Sequence, residues 1–511
     1  MPPRTGLKKS RSGCITCKQR HVRCDEQKPD CQNCIKTGRK CDGYDRTISQ
    51  KQLHQKALLA SDSSRTCSPD SRVILLEGTS QEREYIALFC TQTSQALTGF
   101  STSDYWNRLL PQLSHSEPIV RHAVVAVGVA HQRHQGIAID FEQTEKFMLQ
   151  QYNQAIRLLM KHLSTPTNEK LDLTLITCGL FMCLEMFRGD HNRVLDHAEA
   201  GLEILERSIT GSQSQFQSQT ADQQKAHEEL SELFFRFNVE LLMFARRSKL
   251  LSIFTDPKRL QVPATFKNIS DARKASTSIA NYTITAFMKS GAFTRESYQQ
   301  EEGKKWIRSQ LPIMEAAYNA WLVSFERLLQ TRQGKSADKR AVLVLRIDFL
   351  TLLTWSLGTV RRKETDKDKW NSHYAEMLTL VEELLRLEAH SSAKRYFSLD
   401  HVVIRALQWI ATNCREPVTR HRAFDLLVGN QRQENLWNSR RSAKIAEYLI
   451  NSEEASLLDL PVEQRVPPEH ERVAALIFWD DAAPGKTWLR TMKHDPQGEM
   501  QVSVELIDWS Q

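Results

Sequence analysis

The chain is poor in the signatures by which enzymes are recognised. Its 511 residues hold no Gly-rich phosphate loop, no G-x-S-x-G turn and no H-E-x-x-H pair, which argues against P-loop phosphoryl transfer, serine-hydrolase chemistry and zincin-type proteolysis. The N-terminal MPPRTGLKKSRSG is basic and has no apolar run, so no secretory signal is expected and the thiols should meet a reducing compartment. The stretch 171–187, LDLTLITCGLFMCLEMF, is apolar nearly all round but short and interrupted by Asp172 and Glu185. It predicts a buried helix, not a membrane span, and no membrane partner is expected. Residues 45–79 are polar, with only Ile48, Leu53 and the Leu58–Leu59 pair as heptad candidates. Three or four heptads would be needed for a coiled coil, so this stretch reads as a linker and dimerisation through it is unsupported. No repeat of fixed period runs through the long remainder.

What is present is concentrated in residues 14–41. Six of the 11 cysteines lie there, Cys14, Cys17, Cys24, Cys31, Cys34 and Cys41. A shift of 17 positions carries the first three onto the last three, so a C-x2-C-x6-C half is written twice. A segment this short without an apolar run cannot bury a core and needs a staple. In a reducing compartment, paired cysteines are better read as thiolate ligands than as disulfides. Two tetrahedral zinc ions need about eight bonds, which six thiolates supply only if two sulfurs bridge. The twofold pattern nominates Cys14 and Cys31. One zinc would then see Cys14, Cys17, Cys24 and Cys31, the other Cys31, Cys34, Cys41 and Cys14. With no open position left, the site reads as structural.

Charge is concentrated in the same place. Residues 1–46 carry 12 Lys or Arg against 5 Asp or Glu, a net +7 of the chain's +8, which points to a polyanionic partner. Each half should form a short helix after its C-x2-C pair, with Gly38 ending the second. The first would carry Lys18, Arg20, His21 and Arg23. The second would carry Lys36, with Arg39 and Lys40 just beyond.

The cysteine spacing, the run KQRHVR, the KPD loop around Pro29 and the closing GRKCDGY resemble the binuclear zinc cluster of fungal Zn2Cys6 transcription factors. The resemblance implies double-stranded DNA as partner, a nuclear location and two zinc ions per chain. It also implies contact with a CGG triplet from the third and fourth residues after the second cysteine, here Arg20 and His21. Arg20 can grip guanine bidentately; His21 departs from the Lys or Arg often found there and offers fewer donors. Lys18 and Arg23 are assigned to phosphates. Residues 1–13 read as a basic disordered arm, and its Lys8, Lys9 and Arg11 as an import signal or extra phosphate contacts. The stretches at 104–128, 181–205, 414–427 and 436–450 resemble the helical regulatory region of one subgroup of these factors.

The fold class expected is therefore mainly α. A small zinc cluster at 14–44 and a linker at 45–79 precede a large, solenoid-like helical regulatory domain at 80–460; a loop with a small β-sheet closes the chain at 461–511. Helical faces are legible at 148–163, 191–205, 228–245 and 314–329, with further helices at 341–360, 372–388, 399–412, 417–428 and 437–454. The Ser/Gln-rich 208–226 reads as a disordered surface loop and RRKETDKDK at 361–369 as a charged turn. Strands are expected at 473–479, 488–493 and 502–509.

Other polar residues carry bland readings. His131 and His134 read as a solvated helix end, His191 and His197 as packing or capping, and Cys178 and Cys183 as buried apolar residues. Residues 453–471 hold six acids. They read as a helix end and solvated loop, against an acidic activation segment whose partners would be coactivators or corepressors. The leading function is a sequence-specific regulator of RNA polymerase II genes. The alternative is a metabolite-responsive receptor whose helical body binds a small-molecule effector and gates DNA binding. No catalytic constellation supports an enzyme.

Overall fold

The computed structural model describes residues 13–20, 22–43, 78–99, 103–137, 140–164, 170–210, 221–243, 251–290, 301–331, 334, 338–359, 363–388, 396–400, 402–479 and 485–510. The chain divides into two compact units, Met1–Leu75 and Leu76–Gln511. In the first, two short helices, α1 (Ile15–Gln19) and α2 (Gln32–Lys36), enclose the cysteines.

The second unit is helical over most of its length, as the periodicity indicates. It opens with α3 (Ser80–Leu88), fixed by reciprocal capping: Thr79 accepts from the Glu82 N–H, and Glu82 accepts from the Thr79 N–H. After α4 (Ser94–Thr98) and α5 (Leu110–Ser116) come five long helices, α6 (Pro118–His134), α7 (Phe141–Ser164), α8 (Lys170–Arg188), α9 (His191–Thr210) and α10 (Ala221–Met243). They build a first core. The all-apolar α8 lies inside it, with Leu180, Met182 and Leu184 fully buried. A helix apolar on every side must be enclosed on every side. Across the Gly189 turn, α9 contributes the expected face, Val194, Leu195, Ala198, Leu202 and Leu205, all buried. Gly201 admits the α10 ring of Phe234, which any β-carbon there would overlap.

A second core follows from α11 (Ile269–Lys289), α12 (Glu301–Gln330), α13 (Lys339–Thr359), α14 (Asn371–Glu388), α15 (Val403–Asn413), α16 (Pro417–Gly429) and α17 (Ser439–Glu454). Trp321 is its centre. The indole is sandwiched at 4.7 Å from both Phe325 and Phe349, and its N–H donates to the Ala272 carbonyl at 2.7 Å. Helix α13 is long and apolar enough to cross a membrane, yet its Val344, Leu345, Ile347 and Phe349 are buried in this core; it is a core helix.

Two sheets complete the unit. β1 (Tyr396–Ser398) pairs in parallel with β2 (Arg432–Glu434), which pairs with β3 (Trp437–Asn438). The C-terminal strands, β4 (Val473–Trp479), β5 (Lys486–His494) and β6 (Met500–Asp508), form the expected antiparallel sheet in the order β4-β5-β6.

Several expectations are corrected. The 208–226 loop is shorter than its composition suggests: α9 runs to Thr210 and α10 begins at Ala221, while 211–220 lie outside the described residues. Glu364–Trp370, expected in a charged turn, is a 3-10 helix with Glu364 and Lys367 buried and paired at 3.1 Å. The Lys367 ammonium also donates to Asn413 at 2.7 Å. His131 is not solvated. It is buried and stacked on Phe187 at 4.9 Å, with Thr93 2.9 Å from Nδ1 and Gln135 3.0 Å from Nε2. Burial pushes its pKa down to about 4, so the ring is neutral. His134 packs near Phe187 and Phe397.

The acids of 453–471 are largely structural. Glu453, fully buried, accepts from Arg415 and Arg420 at 2.6 Å each and from the Val473 N–H at 2.7 Å. Glu454 faces Arg420 and His421, and Glu469 caps the 3-10 helix through the N–H groups of Glu364 and Thr365. These acids are engaged within the fold, which speaks against a free acidic activation segment. Cys178 and Cys183 are buried; burial pushes Cys178 up to about 11, and Cys183 rises for the same reason.

Candidate metal centre and nucleic-acid interface

The head is assembled around sulfur. Cys14 and Cys31 hold equivalent positions as the N-caps of α1 and α2, with extended backbone. Their sulfurs accept from the N–H groups of Cys17 and Cys34, each at 3.4 Å. The helices thus begin inside each C-x2-C pair, not after it. Cys24 accepts from the N–H groups of Cys14 and Glu26, also at 3.4 Å. Cys14, Cys17, Cys31 and Cys34 are fully buried, Cys24 nearly so, and Cys41 packs against them half-buried.

The six sulfurs fall into two groups of four. Cys14, Cys17, Cys24 and Cys31 form one; Cys14, Cys31, Cys34 and Cys41 form the other, each with all its sulfurs within 4.8 Å of one another. The shared pair, Cys14 and Cys31, lies 3.6 Å apart, and Cys17 and Cys31 lie 3.7 Å apart. A disulfide would need about 2.05 Å, whereas four thiolates at about 2.3 Å from a tetrahedral zinc are about 3.8 Å apart. The donor set therefore fits zinc. Burial pushes Cys14 up to about 12 and raises Cys17 and Cys31 as well. A cation among them would offset that burial and favour the thiolates of Cys14, Cys17 and Cys31.

The halves also close one another through residues that the spacing of cysteines does not reveal. Asp25 ends the first half, and its carboxylate accepts from the N–H groups of Gln32 at 3.0 Å and Asn33 at 3.1 Å, the start of α2. Its pKa is lowered by these N–H donors acting against desolvation. Asp42 ends the second half and bonds Thr16 of α1 twice, accepting from the hydroxyl at 2.8 Å and donating its N–H at 3.0 Å. The signal was present in the sequence, since the repeat extends from the third cysteine to the aspartate after it, Cys24-Asp25 and Cys41-Asp42. The intervening loop contains a cis Lys28–Pro29 peptide, and Gly38, at a positive φ, ends α2 as expected.

The basic residues sit around this centre. Lys18 is half-buried in the last turn of α1, Arg20 is the C-cap, and Arg23 is exposed beyond the helix. Only Lys18 of the predicted set thus lies within α1, because the helix closes after five residues. Arg20 reaches across to the other half, donating to the Thr37 hydroxyl at 3.2 Å. Lys36, Arg39 and Lys40 are exposed, and His21 lies outside the described residues.

Residues 12–51 match the fungal Zn(2)-Cys(6) binuclear cluster domain, and residues 84–246 match the fungal specific transcription factor domain. The chain is thus similar, over its cysteine cluster and its first helical core, to the fungal Zn(2)-Cys(6) transcription regulators. It is similar to the aspercryptin biosynthesis cluster-specific transcription regulator atnN of Emericella nidulans, at 25% identity over 92% of this chain and 92% of that protein. Transcription regulator lscL of Purpureocillium lilacinum is 28% identical over 36% of this chain and 46% of its own length. Adhesion and hyphal regulator 1 of Candida albicans is 61% identical over 33 residues, 6% of this chain and 5% of that protein. No solved structure matches the chain. The matched domains support zinc binding and DNA-binding transcription regulation.

Proposed function

We propose that this regulator reads CGG-like half-sites in the promoters of RNA polymerase II genes, in the nucleus, through a head holding two zinc ions. Cys14, Cys17, Cys24 and Cys31 would hold one ion and Cys31, Cys34, Cys41 and Cys14 the other. The observation that carries the reading is the pair of four-sulfur groups sharing Cys14 and Cys31. Zinc there supplies folding energy and leaves no open coordination position. Arg20 and His21 are the base readers, and Lys18 and Arg23 the phosphate contacts. Arg20 uses one of its donors on Thr37 and keeps others for a guanine edge. The functional division is a head at 14–44, a linker at 45–79, a regulatory body at 80–460 that docks coactivators or corepressors, and a tail at 461–511. The relative that spans most of the chain is named for one biosynthesis cluster, which supports a similar target class, the genes of a single biosynthetic cluster.

The test is binding-site selection from random duplexes with the zinc-loaded chain at one stated salt concentration. Enrichment of a CGG-like triplet is expected. Arg20→Ala should relax base preference by about 1–3 kcal/mol, and Lys18→Ala should weaken all sequences alike. No enriched sequence from a chain carrying two zincs would overturn the reading, and so would a reversal of the two mutant phenotypes.

A further inference from the structure

The C-terminal sheet ends in a strand that exposes an apolar stripe. Its inner face meets the helical body through Thr487, Leu489 and Thr491 of β5, all buried, and through Phe478 of β4, which packs on the second core. The register places Ile507, Glu505 and Ser503 of β6 opposite those three β5 residues, on the same inner face. Val502, Val504 and Leu506 therefore point outward, and they are 47%, 50% and 42% exposed. Half-buried Trp488 and Arg490 stand beside Leu506 and Val504 on this outer face. An antiparallel sheet with one face on a core ordinarily turns its polar residues to water; β6 keeps Ser503 and Glu505 exposed on that side and adds an exposed apolar stripe on the other.

The backbone of β6 is open at the same residues. Trp509 donates its N–H to Gly485 at 2.8 Å and Asp495 donates to Glu499 at 2.9 Å, both odd-numbered pairs in the register of β5 with β6. Hydrogen-bonded and non-hydrogen-bonded pairs alternate along an antiparallel ladder. The odd residues of β6 thus bond β5, while the N–H and C=O groups of Val502, Val504 and Leu506 point to the opposite edge. Among the described residues no strand pairs with that edge. Of the usual defences it has only the charges of Glu505 and Asp508 and lacks the others: Met500–Asp508 contains no Pro, Lys or Arg, and its register with β5 runs without a shift. The edge strand β4 differs, with a register irregularity at Val473/Ala475 and its Val473 N–H taken by Glu453.

We infer that β6 pairs antiparallel with β6 of a second copy of this chain, about a twofold axis at Val504, joining two three-stranded sheets into one. The strand is complementary to itself in that register. Val504 meets Val504 of the second copy, and Val502 meets Leu506, so every residue with outward backbone groups faces another and each pair exchanges both hydrogen bonds. The apolar side chains merge into one stripe on one face. On the other face, Ser503 falls opposite Glu505 of the second copy, a hydroxyl donor against a carboxylate. An axis at Glu505 would pair the same outward backbone groups, Val504 with Leu506, but would set two carboxylates directly opposite each other. This charge pattern favours a second copy over an unrelated strand.

The test is the mass of the full zinc-loaded chain by light scattering and sedimentation equilibrium over a range of concentrations. A species of twice the 58.8 kDa chain mass is expected. Val504→Pro removes an outward N–H and no bond to β5, a placement edge strands tolerate, so the thermal transition should stay while the dimer dissociation constant rises more than tenfold. Val504→Lys at this half-exposed position should do the same by placing two ammonium groups on the axis. A chain monomeric at every concentration overturns the inference, including the case where a different protein occupies the edge. A dimer undiminished by both substitutions also overturns it.

Discussion

The head and the body of this chain keep their folds by opposite means. Among the described residues between 13 and 43, the buried ones are Gly13 and five cysteines, with no apolar core; two short helices are held by sulfur and by reciprocal aspartates. The body has two apolar cores, one around the enclosed helix α8 and one around Trp321, and buried ion pairs fasten the helices of the second. The head's stability is thus a property of its ligand, and the body's a property of its sequence alone. A head built in this way can be small and carry charge on its surface, since it needs no apolar interior to hold its shape.

The largest break in this comparison should come from chelation. Structural zinc contributes on the order of 10–16 kcal/mol to the folding of small domains, so removing it should abolish DNA binding. The body's thermal transition and helical circular dichroism should stay unchanged. A gel shift and a melt on the same sample check both halves of the statement. The converse break is Glu453→Ala, which strips the carboxylate from buried Arg415 and Arg420. Removing one partner of such a cluster costs about 3–5 kcal/mol, so the body should melt far earlier while the zinc content stays at its wild-type value.

Acid should separate the regions more gently. His131 titrates near 4 in the folded body against about 6.5 when unfolded. Below 6.5 the unfolded chain takes up the proton and the folded one refuses it, so this stability is complete above 6.5 and is lost as the pH falls toward 4. At pH 5 the loss is about 2 kcal/mol, measurable as a drop in urea midpoint from pH 7 that His131→Gln should largely remove. The smallest effect is expected within the head. Thr37→Val deletes one hydrogen bond to a half-buried Arg20, worth about 1 kcal/mol at most. Zinc content should not change, and preference among half-sites should broaden slightly in the selection assay.

The same comparison explains what could be read from the sequence. Ligand chemistry has fixed distances, so the spacing of six cysteines was enough to anticipate which sulfurs would gather, and helical periodicity located faces such as Val194 to Leu205. What failed depended on partners far away in the chain. Glu453 looks like a solvated acid until Arg415 and Arg420 arrive from more than 30 residues upstream, and Glu469 until the 3-10 helix at Glu364 meets it. His131 sits at the end of a helix, where local reasoning sees solvent; Phe187 and Thr93 supply the enclosure. β1 and β2 were invisible because three residues cannot display a period. The helices of the head are set by cysteine N-caps, which the usual Ser, Thr, Asp or Asn signals do not include.

The Glu453 carboxylate that receives Arg415, Arg420 and the Val473 N–H has a genetic corollary. It makes the last sheet a condition of the body's integrity: Val473 supplies a bond to the buried cluster, and Arg472 is tied to Asp368 at 2.7 Å. A frameshift near codon 472 would leave the entire DNA-reading head and every long helix encoded, yet withdraw a donor from a fully buried carboxylate. Such an allele should behave as a loss of abundance and not as a shortened but working regulator, its product cleared by proteolysis before promoter occupancy is at issue.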